Sequence, residues 1–321
     1  MNAPFADAYP TFAQLPVREG APAGSSWGVF GDDDQVGTLN FITAEHVLAA
    51  ARLVRKGRVF SLNLPLDLPN PPLYGRQPYR HTLLVLGGGR ARDDYLDNFY
   101  LQASSQWDAL SHICHLRYGF YNGVRPEAVT GRPGSKLGIE HWAARGIAGR
   151  GVLVDVARYL EAQGQPLDAR QRVAIEPALL DAVLRAQGVE LRGGDLLLVR
   201  TGWLAQYLSW SAAERAAYDP EKGCPGLSAT EAMAAYLWNH RVAAVVADNP
   251  GVEAMPATRE TGGFLHTRLI ALLGMALGEL WDLEALAADC AADGVYECLV
   301  TAAPLHLRGG VGSPANALAL K

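Results

Sequence analysis

The 321 residues hold only four cysteines, Cys114, Cys224, Cys290 and Cys298, and no C-x-x-C pair joins any two of them. That spacing excludes a disulfide framework and a thiolate zinc site, so the thiols are read as reduced and mostly buried. An excess of positive charge is missing too. The 28 Lys and Arg stand against 33 Asp and Glu, for a net charge of -5, and the basic residues are scattered beside acidic ones. Without a basic stripe the chain has no electrostatic footprint for nucleic acid. No apolar run reaches the ~18 residues that a membrane span requires. The opening residues, MNAPFADAYP, lack the basic and apolar regions of a signal peptide, which makes the cytoplasm the expected address. Low-complexity linkers and internal repeats are also absent, and 49% hydrophobic content suffices for a sizeable core. One continuous α/β domain is the expectation.

Three familiar catalytic signatures fail as well. Gly87-Gly-Gly89 follows a strand-like run, but position 92 is Arg and the dinucleotide fingerprint is incomplete. Ser228 sits in Gly-Leu-Ser-Ala-Thr, which lacks the final glycine of a nucleophile elbow. Cys114 and His115 are adjacent, so their side chains point apart on any regular element.

What the sequence does contain is an alternation of strand-like and helical patterns. The runs 81–86, 151–156, 195–201, 242–247 and 296–307 read as strands, several apolar throughout and therefore covered on both faces. Thr43 is placed to cap a helix through about Arg55, with Gly57 as its stop. Glu176-Pro177 opens a helix that ends at Gly188, and Ser228-Ala-Thr-Glu231 reads as a capping box for a helix running toward His240. The first forty residues are rich in Pro, Gly, Ser and Asp and are expected to form an irregular arm before a domain spanning 41–321, with Trp27 and Phe30 needing a partner surface.

The chemistry concentrates in Gln102-Ala-Ser-Ser-Gln106-Trp107-Asp108-Ala-Leu-Ser-His112. If the chain enters extended and turns into a helix, Asp108 and His112 become i,i+4 neighbours and converge with Gln102 and Gln106. A carboxylate, an imidazole and amide oxygens suit Zn²⁺ or Mn²⁺. By spacing alone the plainer reading is favoured: a helix start with Asp108 capping, Trp107 packing and His112 structural. Downstream, 264–273 has helical spacing with His266 near its start, and Gly274 would stop it in a left-handed cap. His266 and Glu279 then meet only if helix, glycine stop and extended segment follow in that order. Between the clusters, Asp248-Asn-Pro-Gly-Val-Glu253 ends an apolar run where α/β sheets carry ligand loops, though a simple turn with an Asp anchor fits equally well.

Taken together, Trp27-Gly with Gly37-Thr-Leu-Asn40, Gln106-Trp-Asp-Ala-Leu-Ser-His112, Tyr121-Asn-Gly123, Gly138-Ile-Glu140, Arg200-Thr-Gly-Trp203, Asp248-Asn249, and Leu265-His266 followed by Glu279 resemble the metal-dependent cyclase family of hydrolases, which includes bacterial kynurenine formamidase and isatin hydrolase. The likeness covers most of the chain. It implies a single domain with a mixed β-sheet core and flanking helices, of the swivelling β/β/α type, and at least a dimer, homodimer or homotetramer, with the N-terminal arm as an interface element. The family pattern is His-x-Gly-Thr-His-x-Asp-x-Pro-x-His; here Gln102 and Gln106 replace the two leading histidines, Leu110 stands at the proline, and Asp108 and His112 match. The resemblance makes Asp108, His266 and Glu279 ligands of one divalent ion, Mn²⁺ or Zn²⁺ with Mg²⁺ as a further candidate, helped by Gln102 and Gln106. Neutral, harder amide oxygens shift preference away from zinc. His112 is then the acid/base residue, and Trp27, Phe30 and Trp203 are candidates for an apolar substrate wall. The implied activity is hydrolysis of an amide, lactam or ester of a small cyclic or aromatic molecule, acting on carbon–nitrogen bonds other than peptide bonds. A silent small-molecule binding protein on the same fold, or a metal-dependent lyase or dehydratase, are the alternatives.

Overall fold

Val152, Leu153, Val154, Leu196 to Val199 and Val242 to Ala247 have no solvent-accessible surface, and they form the middle of one mixed sheet. The computed structural model describes residues 9–260 and 263–321. In chain order its strands are β1 (Val59–Ser61), β2 (Arg80–Leu86), β3 (Ala91–Asp97), β4 (Gln106–Asp108), β5 (Ile147–Asp155), β6 (Ala174–Ile175), β7 (Leu196–Arg200), β8 (Gly226–Leu227), β9 (Ala244–Ala247), β10 (Ala276–Glu279), β11 (Glu297–Ala302), β12 (Gly312–Pro314) and β13 (Ala317–Leu320). Nine of these form one sheet in the order β1-β13-β11-β5-β7-β9-β10-β4-β12. The central four, β5, β7, β9 and β10, run parallel, and antiparallel strands flank them on both sides. Parallel strands need cover on both faces, which explains why their sequences carry no alternation.

The helices are α1 (Ala44–Ala51), α2 (Glu140–Arg145), α3 (Val156–Ala162), α4 (Pro177–Gln187), α5 (Trp203–Ser209), α6 (Ala212–Ala217), α7 (Glu231–Asn239) and α8 (Glu284–Asp293). Local chemistry sets their ends. The Thr43 hydroxyl accepts from the His46 amide at the start of α1, while Pro177 opens α4 and Gly188 closes it with φ +68°. Two boundaries differ from expectation. Helix α1 stops at Ala51, four residues early, and α7 is capped by Thr230, whose Oγ1 accepts from the Met233 amide, with the Ser228 hydroxyl 3.0 Å from that of Thr230.

The Pro- and Gly-rich segment from residue 9 to 43 covers the body's own core. Leu15, Trp27 and Leu39 join the main hydrophobic cluster, and the Trp238 ring N–H donates to Pro10 at 2.9 Å. Strands β2 and β3 form a separate two-stranded hairpin instead of entering the sheet, with most of both faces exposed. Among the described residues no helix is long and apolar enough to cross a membrane.

The carboxyl ends of the parallel strands gather the buried polar groups. Asp155 ends β5 and pairs with Arg200, which ends β7, at 2.7 Å; Asp248 follows β9; Glu279 ends β10. Asp248 accepts from the Thr201 amide, the Thr201 hydroxyl and the Gly202 amide at 2.7–2.8 Å, locking the turns after β7 and β9 together. Ligand sites in open α/β sheets form at this edge.

Candidate metal centre

Strand β4 is only three residues long, and its alternation assigns the roles. Side chains of Gln106 and Asp108 share one face while Trp107 takes the other. The Trp107 ring is wedged edge-on between Trp142 and Trp281, with centroids 6.1 and 4.9 Å away, so slippage by one residue would expel a fully buried indole. Along one edge β4 pairs antiparallel with β10, and the register sets Gln106 opposite Glu279 and Asp108 opposite Leu277. With β12 paired on its far edge, β4 has both backbone edges committed. The helix expected after Asp108 therefore does not form. A turn replaces it, in which the His112 amide donates to Ala109 at 2.9 Å, and this turn brings His112 back beside Asp108.

His266 comes from the first turn of a helix that widens to π geometry over Thr267–Leu272. Gly274, at φ +63°, ends it, and a Cβ there would lie 2.5 Å from the Tyr121 ring. Gly37 is equally constrained, since its Cβ would meet the Gly274 carbonyl oxygen at 1.9 Å. The helix, glycine stop and extended segment inferred from the sequence are thus present, and β10 follows at once with Glu279 at its end.

Asp108, His266 and Glu279 converge, each offering a ligand atom within 4.8 Å of the others, and all three are buried. His266 Nε2 lies 2.9 Å from Glu279 Oε1 and 3.6 Å from Asp108 Oδ2. Its Nδ1 is held by Glu253 Oε2 at 2.5 Å. Burial pushes the Glu279 carboxyl up to about 7, with Asp108 adding repulsion. Burial would lower the His266 imidazole, but the Glu253, Asp108 and Glu279 carboxylates outweigh it and raise it well above the usual range. At Asp108 burial is outweighed by His112, His266 and Arg76, which hold the carboxyl low. His112 is lowered by burial, a shift that Asp108 opposes and His266 and Arg76 reinforce.

These residues fit a divalent cation. Both carboxylate oxygens of Asp108 and the amide oxygen of Gln106 are buried without a hydrogen-bond partner, and each such orphan costs about 1–3 kcal/mol or more. A cation would satisfy all three. Two buried carboxylates, one imidazole and an amide oxygen form an oxygen-rich set.

The two glutamines separate. The Gln106 Nε2 group donates to Glu279 Oε2, and its Oε1 stays free. Gln102 is half-buried and lies outside the ligand group: its Nε2 is 3.3 Å from His112 Nδ1 and donates to the Val311 carbonyl at 3.4 Å. His112 is partly exposed, and its Nε2 stands 3.7 Å from Asp108 Oδ1, beyond hydrogen-bond length and open to a small partner.

The aromatic wall is not where the sequence reading put it. The Trp27 ring N–H donates to Ala271; Phe30 packs edge-on against Phe41 and near Tyr9; Trp203 is fully buried, stacked on Tyr207 and bonded to the Tyr218 hydroxyl. All three are packing residues, with the polar tips of both indoles already satisfied. Phe264, 39% exposed, instead stacks on His266 at 4.9 Å and an interplanar angle of 10°. Glu253 ends the segment that the sequence offers equally as a ligand loop or a simple turn, and the structure gives it a partner in His266; Arg76, whose guanidinium lies over the Tyr74 ring at 5.4 Å, carries no signal in the sequence. Tyr74 in turn donates to Pro250 on the Asp248–Glu253 loop, placing this segment over the site.

The Cyclase family model matches residues 34–254. The chain belongs to this cyclase family. Among solved structures it is similar to a novel cyclase at 38% identity, covering 92% of this chain and 99% of that one with a TM-score of 0.82. Isatin hydrolase A from Labrenzia aggregata, bound to benzyl benzoate, shares the fold at 17% identity, with 82% and 93% coverage and a TM-score of 0.57. Isatin hydrolase A from Ralstonia solanacearum does so at 18% identity, with 87% and 98% coverage and the same TM-score. No curated protein matches the chain.

Proposed function

We propose that this cyclase-family protein is a metal-dependent hydrolase that adds water to the carbonyl of a small amide, lactam or ester. The observation that carries this reading is the convergence of Asp108, His266 and Glu279 with two unpartnered Asp108 oxygens at the carboxyl edge of the sheet. Those three residues would hold a divalent cation, with Gln106 Oε1 as a fourth donor, and the oxygen-rich set favours Mn²⁺ over Zn²⁺. Such an ion, when bound, supplies Lewis acidity toward a water and a carbonyl oxygen.

The remaining chemistry belongs to the chain. His112 is lowered by burial and so is uncharged and able to accept the water proton at neutral pH. The same imidazole returns that proton to the departing nitrogen or oxygen, so that one water is consumed and one acyl bond broken. Glu253 fixes His266 by its Nδ1 and leaves Nε2 turned toward the carboxylates. The Arg76 guanidinium, whose charge acts on Asp108, His112 and Glu279, would stabilise negative charge growing on an acyl oxygen beside them. Phe264 offers a flat apolar surface to a planar substrate. The isatin hydrolases that share the fold act, by name, on a cyclic amide, which supports a lactam or related carbon–nitrogen bond as the first substrate class to try.

The test is hydrolysis of N-formyl, lactam and ester substrates by protein dialysed against EDTA and then reloaded with Mn²⁺ or Zn²⁺. Turnover should vanish on chelation and return with metal, giving products whose summed mass exceeds that of the substrate by one water. Turnover by metal-free protein, or a product lighter by one water, would overturn the hydrolytic reading.

A further inference from the structure

Residues 73–76 make a turn that their sequence does not favour. Tyr74 and Gly75 have φ of +58° and +71°, and the Arg76 amide donates to the Leu73 carbonyl at 3.3 Å, as in a type I′ turn. The first central position of such a turn normally holds asparagine, aspartate or glycine, because left-handed backbone crowds a Cβ. An aromatic residue kept there by its surroundings marks a side chain with a task. The Tyr74 hydroxyl donates to the Pro250 carbonyl at 3.1 Å, on the loop whose Glu253 carboxylate holds His266. Gly251 on that loop leaves room for the approach, since a Cβ there would lie 3.3 Å from the hydroxyl oxygen. The Tyr74 ring lies under the Arg76 guanidinium at 5.4 Å, and among the described residues that guanidinium has no hydrogen bond or ion pair. A flexible cation is thus steered by one aromatic face. The turn is also fastened from behind: Leu73 is buried, and the Tyr207 hydroxyl accepts from the Asn70 amide at 2.9 Å and donates to the Asn70 carbonyl at 3.3 Å.

We propose that Tyr74 is a positioning residue for Arg76, its ring holding the guanidinium toward the metal centre and its hydroxyl fixing the turn to the Glu253 loop. The inference rests on the hydrolytic reading above, in which Arg76 meets charge growing on an acyl oxygen. The Arg76 charge acts on Asp108, His112 and Glu279 alike, which places its working position beside all three. Tyr74 affects turnover only through Arg76. Its contribution should therefore disappear when Arg76 is absent.

A double-mutant cycle on the full chain tests this, with kcat, KM and Mn²⁺ affinity read for each variant. Tyr74→Asn suits the left-handed turn and removes both contacts, and it should lower kcat by about tenfold or more while KM changes less than about threefold. Tyr74→Phe keeps the ring under Arg76 and should retain more activity than Tyr74→Asn. Arg76→Met should lower kcat at least as far as Tyr74→Asn, and combining the two should lower it no further. Far-UV dichroism should match in all variants, because Tyr74 is 37% exposed. Mn²⁺ affinity reports the same movement without turnover. Removing or releasing a cation beside the bound ion should tighten Mn²⁺ binding about two- to tenfold in Arg76→Met, in Tyr74→Asn and, to the same extent, in the double variant. Losses that multiply in the double variant, or a Tyr74→Asn protein with kcat and Mn²⁺ affinity unchanged, would overturn the proposal and leave the hydrolytic reading standing. Unmodified protein that binds Mn²⁺ but hydrolyses nothing fails the hydrolytic reading instead, and the Mn²⁺ affinities then still decide whether Tyr74 sets Arg76. Unmodified protein that binds no Mn²⁺ and hydrolyses nothing would overturn both.

Discussion

His266 lies between carboxylates that act on different ring nitrogens. Glu279 and Asp108 face Nε2, while Glu253 grips Nδ1 from a fully buried position. A carboxylate behind a ligating imidazole fixes its tautomer and raises its basicity, and losing one costs about 10–100-fold in metal affinity. Glu253→Gln should therefore weaken Mn²⁺ binding by about that factor while the protein stays folded, whereas Asp108→Ala should abolish binding. His112→Ala is expected to keep the metal and cut kcat by about 10²–10⁴-fold. Metal content by elemental analysis, read beside kcat, separates the three. Equal metal loss in all of them would make His112 a ligand. Asp108, His266 and Glu279 were legible in the sequence through a resemblance that no single motif carried. Glu253 was legible only as the end of a candidate ligand loop, because Asn-Pro-Gly-Val-Glu reads equally well as a turn and only the fold swings its carboxylate under His266. Arg76 lay in a Pro-rich stretch without periodicity, so nothing in the chain tied it to the site.

Elements were legible where one local force dominates. Apolar runs without alternation marked β5, β7 and β9, and Pro177 and Gly188 bounded α4. Where tertiary pairing overrides local preference, the sequence misled. Gln106 to His112 has the look of a helix start, yet two strand partners hold β4 extended. Residues 81–86 have strand periodicity, but nothing in that periodicity separates a sheet strand from a free hairpin. The junction between the π helix and β10 shows how tightly such elements are fitted. Gly274→Ala would force a side chain into φ +63° and push a methyl to 2.5 Å from the Tyr121 ring. Left-handed backbone costs about 1–2 kcal/mol and overpacking about 1–3, so about 2–5 kcal/mol of stability should be lost. Denaturant unfolding measures this, and a loss under ~1 kcal/mol would show that the junction relaxes freely. Because this turn joins His266 to Glu279, the variant should also bind metal more weakly.

At the scale of the whole molecule, the centre ties together segments more than 150 residues apart in the chain, through β4, the π helix and β10. The unfolded chain cannot reproduce that convergence, so an ion bound there stabilises the native state alone. At a concentration of 100 Kd the gain is about 2.7 kcal/mol, and with ~2.1 cal/mol/K of unfolding entropy per residue this raises Tm by roughly 4 °C. The pH dependence follows from Glu279. Its carboxyl, pushed up to about 7 by burial and by Asp108, favours the protonated form in the metal-free protein. A group raised in the folded state contributes stability below its unfolded value, near 4.5, and loses it as pH rises through about 7. Metal binding runs the other way, because the proton must leave first. Affinity should fall up to about tenfold per unit as pH drops below 7, removing up to about 1.4 kcal/mol of metal stabilisation each time. Melting scans with and without Mn²⁺ should therefore show a gap that is wide at pH 8 and closes toward pH 5.5. A gap that stays constant over this range would mean that Glu279 is not a ligand.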